Sequence, residues 1–564
     1  MNHVDIQTCG PIARVLRSPS RDARSIDDAR SMAHLSRSFA FERMHRSKAS
    51  LESQRVVGAR VVGARARGAR RGLWHPIARA ALANERAHRA MPSSCVIVGG
   101  GPTGLALAIA LARRGWNDVQ VWERLLRPPA SDSKAWGDPS RSYNVGLSGR
   151  GQRVLKDIGA LDRVLDKCAV VKGRMDWGPD GVPKERLANK TYDTQVIQRD
   201  RLVACLLEEV EAKYSRQIKV KYNSACTGCE FSEDGSMVTL ELGECGEDCD
   251  VGEPSAVGGR VRVPVVFGAE GNSMRSAVVR EMDENSKCEA KIVRYTSSNA
   301  RVYKTIPIYL PDNMRKDLNY SARTKGGVAL EALPTKEGLL IGIMLVKPDD
   351  EQTCEALSNP VALKKFFNEQ FPMFIDYIKD KDIEAMANSK FFGLPNFGYV
   401  ANALNMGGMA ALLGDTIHTV KPYFGLGVNS AWEDVRVLID ALDEADGDTK
   451  VALPNYSKNR AKDAEALVTL SRSFDGGFLT FVLPLIVDSM FHKIAPWLFM
   501  PNTIQMLQKE DWSFSDIQRR KWIDRFMQGA VISSAFAALF AGVCNVARQF
   551  VVPLAMKLLS RGGA

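Results

Sequence analysis

The stretch LLGDTIHTVKPYFGLGVNSAWED, residues 412–434, starts as a buried apolar strand and ends as an amphipathic helix. Between them lie one acid (Asp415), one histidine (His418), a proline (Pro422) and the glycines Gly425 and Gly427. An acid at a strand end can accept hydrogen bonds from hydroxyls. A glycine turn into a helix N-terminus brings free N–H groups and positive dipole to negative charge. A ligand that needs both must make its first contact elsewhere in the chain.

That first contact is CVIVGGGPTGLALAIALARRGWNDVQVWER, residues 95–124. Its pattern predicts a strand at Cys95–Val98, a helix at about Thr103–Arg114 and a second strand at Val119–Trp122, a βαβ unit. Gly99, Gly101 and Gly104 form GxGxxG after the strand and at the helix start. In that pattern the first glycine permits the tight turn, the second lets amides approach a pyrophosphate, and the third lets helix and sheet pack closely. Glu123 ends the second strand, where a carboxylate accepts hydrogen bonds from a ribose.

The choice between NAD and FAD falls to residues 412–434. A ribityl chain and pyrophosphate extend past one binding unit, which suits FAD. Asp415 would then meet a ribityl hydroxyl, and the amides of Gly425, Gly427, Val428 and Asn429 would meet the flavin's pyrimidine edge. VVFGAEG, residues 265–271, adds a third strand-to-glycine turn with an acid, Glu270. No second GxGxxG appears, so a separate nicotinamide domain is not expected.

Composition narrows the classes further. The 564 residues carry a formal charge of +11, yet residues 1–90 hold seventeen Arg and one Lys against seven acids, so the remainder balances at zero. The body therefore gives no global case for nucleic-acid binding. Only His418 and His492 lie outside the N-terminal segment, which rules against a multi-His metal site. The eleven cysteines suit a reducing compartment. Cys226, Cys229, Cys245 and Cys249 have spacing that could hold a structural zinc or could be four reduced thiols; no metal is assigned.

Along the chain, residues 1–90 read as a disordered basic segment, either an organelle-targeting leader or sequence upstream of a start at Met91. The fold class expected is α/β. A Rossmann-like FAD-binding domain (91–290 and 401–472) is interrupted by a β-rich substrate domain (291–400), with a helical C-terminal region at 473–564. Within that region GAVISSAFAALFAGVCNVA, residues 529–547, carries no charge and as a helix spans roughly 28 Å. It reads as a membrane-associating helix, a helix in the membrane interface, or a buried core helix. Arg519, Arg520, Lys521 and Arg525 precede it.

The order GxGxxG, GAEG, then GDTIHTVKPYFGLGVNSAWED resembles the single-component FAD-dependent aromatic hydroxylases, and within them the kynurenine 3-monooxygenase family. Further likeness lies in RSYNVGLSGRGQRVLKDIGALDRVL (141–165), Arg174-Met175, Arg199 with Leu202, FFNEQFP (366–372) and FMP (499–501). The resemblance implies NADPH as co-substrate, O2, and hydroxylation of L-kynurenine to 3-hydroxykynurenine via a flavin hydroperoxide. It implies FAD contacts at Gly99, Gly101, Gly104, Glu123, Gly146, Arg199, Glu270, Asp415 and Val428. Pro422, Gly425 and Gly427 would flank the oxygen site, and Arg174 and Asn429 would hold the amino-acid end of the substrate. It also implies attachment to a membrane, the mitochondrial outer membrane first among them.

The chain departs from that family in places. Glu270 stands where the family has Asp, and Leu426 where glutamine is usual. Two tyrosines that grip the kynurenine carboxylate lack counterparts: the first position reads Leu187, with Tyr192 five residues away, and the second Phe474. Losing a hydroxyl donor to a buried carboxylate costs about 1.5–3 kcal/mol. Arg174 could instead be a surface arginine on a strand. His418 is expected to pack beside the flavin loop, and Lys421 to face an anion or solvent. Alternative functions are a hydroxylase or epoxidase of another aromatic or prenylated lipid such as a quinone precursor, or a flavin protein without oxygen chemistry.

Overall fold

The computed structural model describes residues 94–137, 143–188, 190–244, 258–271, 276–297, 299–423 and 425–552. The basic segment 1–90, Arg141, Ser142, Cys245 and Cys249 lie outside the described residues.

Short runs of apolar residues build the nucleotide sheet. Its order is Asn405–Met406, Ala410–Leu412, Val266–Gly268, Ser94–Val98, Asp118–Trp122 and Ile218–Lys221, parallel except at the first edge. Strands covered on both faces must be apolar on both, which is why CVIV and AALL lack alternation. The helix Pro102–Ala112 buries every residue from Gly104 onward and so shows no polar face. A Cβ at Gly104 would sit 1.9 Å from the Gly99 carbonyl oxygen, so a side chain there would drive helix and turn apart. The helices Leu426–Glu444 and Thr449–Arg472 complete this core.

The second sheet differs from the expected domain limits. Its seven strands run in the order Phe392–Gly393, Val302–Ile308, Leu340–Val346, Ala329–Pro334, Leu318–Arg323, Gly173–Trp177 and Pro183–Leu187. Two of them therefore come from well before residue 291. Lys291–Arg294 leaves to pair with Gly398–Ala401 in a separate small sheet. Residues 351–388 form four helices rather than more sheet.

Alternation divides the labour of each strand. Leu318, Tyr320, Leu330, Ala332, Leu340 and Met344 face a core shared with Phe367, Phe371 and Phe374. Asn319, Arg323, Glu331, Ile343 and Leu345 line a cavity on the other face. Lys304 lies within the back layer, 1% exposed, and its ammonium donates to the carbonyls of Leu357 (3.0 Å), Met386 (3.2 Å) and Ala387 (2.9 Å). Those carbonyls close two helix C-termini, where the dipole favours a cation.

The C-terminal region is anchored at one end and bare at the other. Helix Phe514–Val546 buries Phe514, Ile517, Lys521, Asp524 and Gln528, and every described side chain from 529 to 546 is exposed. The buried-core-helix alternative is thus overturned. The helix is long and apolar enough to cross a membrane. Lys521 is not a surface flank: it is buried between Asp488 (3.0 Å) and Asp524 (3.1 Å), tying this helix to Leu483–Ile494.

Candidate functional site

The ends of the nucleotide strands and the open face of the second sheet enclose a cavity of roughly 2370 Å³. Gly99, Gly101, Glu123, Gly146, Arg174, Arg199, Glu270, Asp415, Pro422, Gly425, Gly427, Val428 and Asn429 all line it. Gly104 does not; its part is the close packing already described.

Two of the helices that begin on this cavity have glycine as N-cap and so no capping side chain. The first has Gly101 as N-cap and proline next. The second has Gly425, at φ 63, a conformation that suits glycine. A Cβ on Gly101 would stand 3.8 Å from Arg199 Nη2, in ordinary contact, on the cavity side of the helix start. The Glu123 carboxylate is fixed by two backbone donors, Gly100 N–H at 2.7 Å and Leu125 N–H at 2.9 Å. Asp415 opens onto the cavity within 3.9 Å of where a Gly427 Cβ would stand. Enclosure by protein pushes its carboxyl above the usual range. Burial likewise raises Glu270, against a hydrogen bond from Ser276, to about 7.

Behind Asp415 lies a buried polar frame. Asp434 accepts from Gly414 N–H (2.7 Å), pairs with His418 Nε2 (2.8 Å) and accepts from Arg460 Nε (2.6 Å). Burial works against ionisation of Asp434, but His418 and Arg460 hold its carboxyl below the ordinary range. His418 is fully buried, as its expected packing role requires. Arg150 joins the frame through Glu433 (2.8 Å) and reaches the carbonyls of Lys509 and Trp512.

Asn429 has a different task from the one expected. Its amide donates to Gly146 O (2.8 Å) and Gly425 O (2.6 Å) and accepts from Ser148 N–H (2.9 Å). With both donors and an acceptor so engaged, it clamps the glycine turn to the strand Asn144–Leu147 instead of reaching for a substrate. Arg174 does sit on a strand, with its side chain 46% exposed, and it faces the cavity. It bonds Asp176 at 2.6 Å and lies 3.8 Å from Glu331.

Sequence reasoning missed Phe481, Tyr303 and Tyr423 on the cavity lining. Tyr192, displaced by five residues from its expected place, still lines the cavity, and so does Phe474. Lys421 faces neither solvent nor an incoming anion. It is 2% exposed, donates to Ser297 Oγ (2.9 Å) and Asn299 O (2.9 Å), and pairs with Asp475. The Tyr423 hydroxyl donates to the same carboxylate. Asp475 lies far away in sequence, so no local pattern could have revealed the pairing. Cys226 and Cys229 are buried along one strand. Among the described residues no group of three or more His, Cys, Asp or Glu is placed to hold a metal.

The donor set suits FAD. One open helix start would suit a pyrophosphate, Glu123 and Asp415 would suit hydroxyls, and the other helix start would suit the electron-rich edge of a reduced ring.

Comparison with known proteins agrees. Residues 93–471 match the family described as "FAD binding domain". The chain is 25% identical over 496 residues to kynurenine 3-monooxygenase of Saccharomyces cerevisiae, covering 84% of this chain and 97% of the relative. It is 27% identical over 386 residues to kynurenine 3-monooxygenase of Salinispora tropica, covering 67% and 78%. Two solved structures share the fold. One is the tetrameric form of 2-methyl-3-hydroxypyridine-5-carboxylic acid oxygenase, with TM-score 0.51 and 18% identity over 68% of this chain and 90% of that one. The other is Pseudomonas aeruginosa PqsL in complex with 2-aminobenzoylacetate, with TM-score 0.50 and 20% identity over 68% and 95%.

Proposed function

The chain belongs to the FAD binding domain family, and from that premise we propose that it is a membrane-attached, NADPH- and O2-dependent FAD monooxygenase that hydroxylates L-kynurenine to 3-hydroxykynurenine. The observation that carries this reading is the meeting of two uncapped helix starts, at Gly101 and Gly425, on one cavity whose far wall is the open face of a sheet bearing Arg174.

FAD, when bound, would supply the redox and oxygen chemistry, with NADPH as hydride donor, O2 as oxidant and an electron-rich aromatic carbon as acceptor. The chain's own residues bind, orient and exclude water. Gly99 to Gly104 and Arg199 would hold the pyrophosphate, and Glu123 a ribose. Asp415 would hold the ribityl chain, and the Gly425–Val428 amides the pyrimidine edge. Pro422 and the Gly425–Gly427 turn would wall the oxygen side. Arg174 would pair with the substrate carboxylate, exchanging part of its bond to Asp176 for the ligand. Tyr192, which lines the cavity, would replace one missing hydroxyl.

Membrane attachment rests on the bare apolar half of the terminal helix. The mitochondrial outer membrane is the location we favour. Phe478, Leu479, Ile486 and Trp497 are exposed in the helical segment packed beside that helix and extend the apolar surface.

A second reading draws on Phe474 and Phe481, which give the cavity an apolar wall on the side of that surface. A hydrophobic aromatic such as a quinone precursor would suit it. Purified protein decides between them. Kynurenine-stimulated NADPH oxidation with 3-hydroxykynurenine formed is the expected result. Stimulation by the quinone precursor alone favours the second reading, and NADPH oxidation without oxygen incorporation defeats both.

A further inference from the structure

The residues on either side of Pro422 end on one carboxylate. Lys421 Nζ pairs with Asp475 Oδ2, and the Tyr423 hydroxyl donates to Asp475 Oδ1. The lysine and aspartate side chains are 1% and 6% exposed. Lys421 is saturated by Ser297 and Asn299 besides, and stands over the Phe397 ring at 5.3 Å. A buried ion pair with this many supporting hydrogen bonds is specific in geometry, because moving either partner strands the other without water. Asp475 itself ends the turn Ser473–Asp475, after the helix Thr449–Arg472 and before Gly476 and Gly477. Its neighbour Phe474 lines the cavity and packs edge-on against Phe481, ring centroids 5.4 Å apart. The wall at Pro422 is thus held from the C-terminal region and not by its own loop alone.

We propose that Asp475 is a positioning residue: through Lys421 and Tyr423 it fixes Pro422 and the following glycine turn, and so sets the share of reducing equivalents that ends in hydroxylated product. This rests on the monooxygenase reading above. In the productive outcome NADPH, O2, a proton and an aromatic C–H give NADP+, a C–OH and water. In the abortive outcome NADPH, O2 and a proton give NADP+ and hydrogen peroxide. Both oxidise one NADPH and reduce one O2 by two electrons from it; they differ in whether an oxygen atom reaches carbon. A loosened wall at Pro422 shifts the balance to the second outcome, since transfer depends on alignment and on exclusion of water.

The experiment uses the full chain in lipid nanodiscs, wild type beside Asp475→Asn, Tyr423→Phe and the double variant Lys421→Met/Asp475→Leu. Three quantities are read: flavin per protein, 3-hydroxykynurenine and peroxide formed per NADPH with kynurenine as substrate, and hydrogen exchange of amides 420–427 without substrate. Asp475→Asn should keep its flavin, lose product per NADPH by about tenfold, and change the kynurenine KM by less than about twofold. Exchange in the loop should rise by about tenfold. Tyr423→Phe should fall between wild type and Asp475→Asn. Should Asp475→Asn fail to fold, the double variant, which removes both charges together, answers the same question. Wild-type coupling and exchange in a flavin-loaded variant overturn the proposal, and so does loss of flavin alone. If wild type itself forms no 3-hydroxykynurenine, the monooxygenase reading fails on that substrate, and loop exchange by itself then upholds or rejects the latch.

Discussion

Arg460 Nε and Asp434 Oδ1 meet at 2.6 Å with both side chains buried, 2% and 0% exposed. The same aspartate holds the Gly414 amide, and through it the turn that presents Asp415 to the cavity. Arg460 also balances Glu433 (3.6 Å) and Asp463, so replacing it leaves three carboxylates without their shared cation. Arg460→Met should cost about 3–5 kcal/mol. Urea unfolding followed by flavin release checks this; an unmoved midpoint would remove the frame from the account.

Asn429→Ala should loosen flavin binding before anything else. Three partly buried hydrogen bonds disappear, leaving the Gly425 and Gly146 carbonyls and the Ser148 amide to find water. An increase of about 10- to 100-fold in the FAD dissociation constant is expected, read by fluorescence quenching on apoprotein titration.

Arg174→Ala should do the reverse. Flavin content stays at the wild-type level while the kynurenine KM rises by about 10- to 100-fold. Loss of yellow colour on purification would show that Arg174 serves the cofactor instead.

Glu270 makes stability depend on pH with a defined sign. Burial raises its carboxyl from 4.5 to about 7. The folded state therefore retains a proton that the unfolded chain has already released. The resulting stabilisation is complete below the unfolded value and is lost as pH rises through about 7. Its size is of order 3 kcal/mol. Melting curves of wild type and Glu270→Gln from pH 5 to 8 test it: wild type should lose ground steadily against the variant. Parallel profiles contradict the argument.

Truncation after Gln528 removes the bare helical half but keeps Lys521, Asp524 and Asp488 together. The truncated chain should become extractable by alkaline carbonate, yet still float with vesicles through Phe478, Leu479 and Trp497. Unchanged resistance to carbonate would place the membrane contact elsewhere.

How much of this could be read in sequence follows from how local each signal is. The nucleotide strands and the turns at Gly99–Gly104 and Gly425–Gly427 were legible because chemistry and conformation act within a few neighbouring residues. The strand Pro183–Leu187 was not: it is an exposed sheet edge with polar side chains and no alternation to detect. The second sheet was accordingly assigned a contiguous span it does not have. Asn429 sits where a ligand contact belongs by motif, yet its partners at Gly146 and Ser148 come from a strand almost three hundred residues earlier in the chain. Lys421 reads as facing an anion or solvent and Lys521 as a basic flank of the apolar helix, yet both are buried against acids distant in the chain, Asp475 and Asp488.

The strands that line the cavity keep their structural obligations on the opposite face, where Lys304 braces the helices from behind. Positions such as Asn319 and Arg323 can consequently vary without disturbing that core, whereas Glu331 is tied to the buried Ser321 hydroxyl at 2.9 Å. Chemical selectivity in this architecture can diverge one alternate residue at a time, while the scaffold that presents it to the flavin is inherited intact.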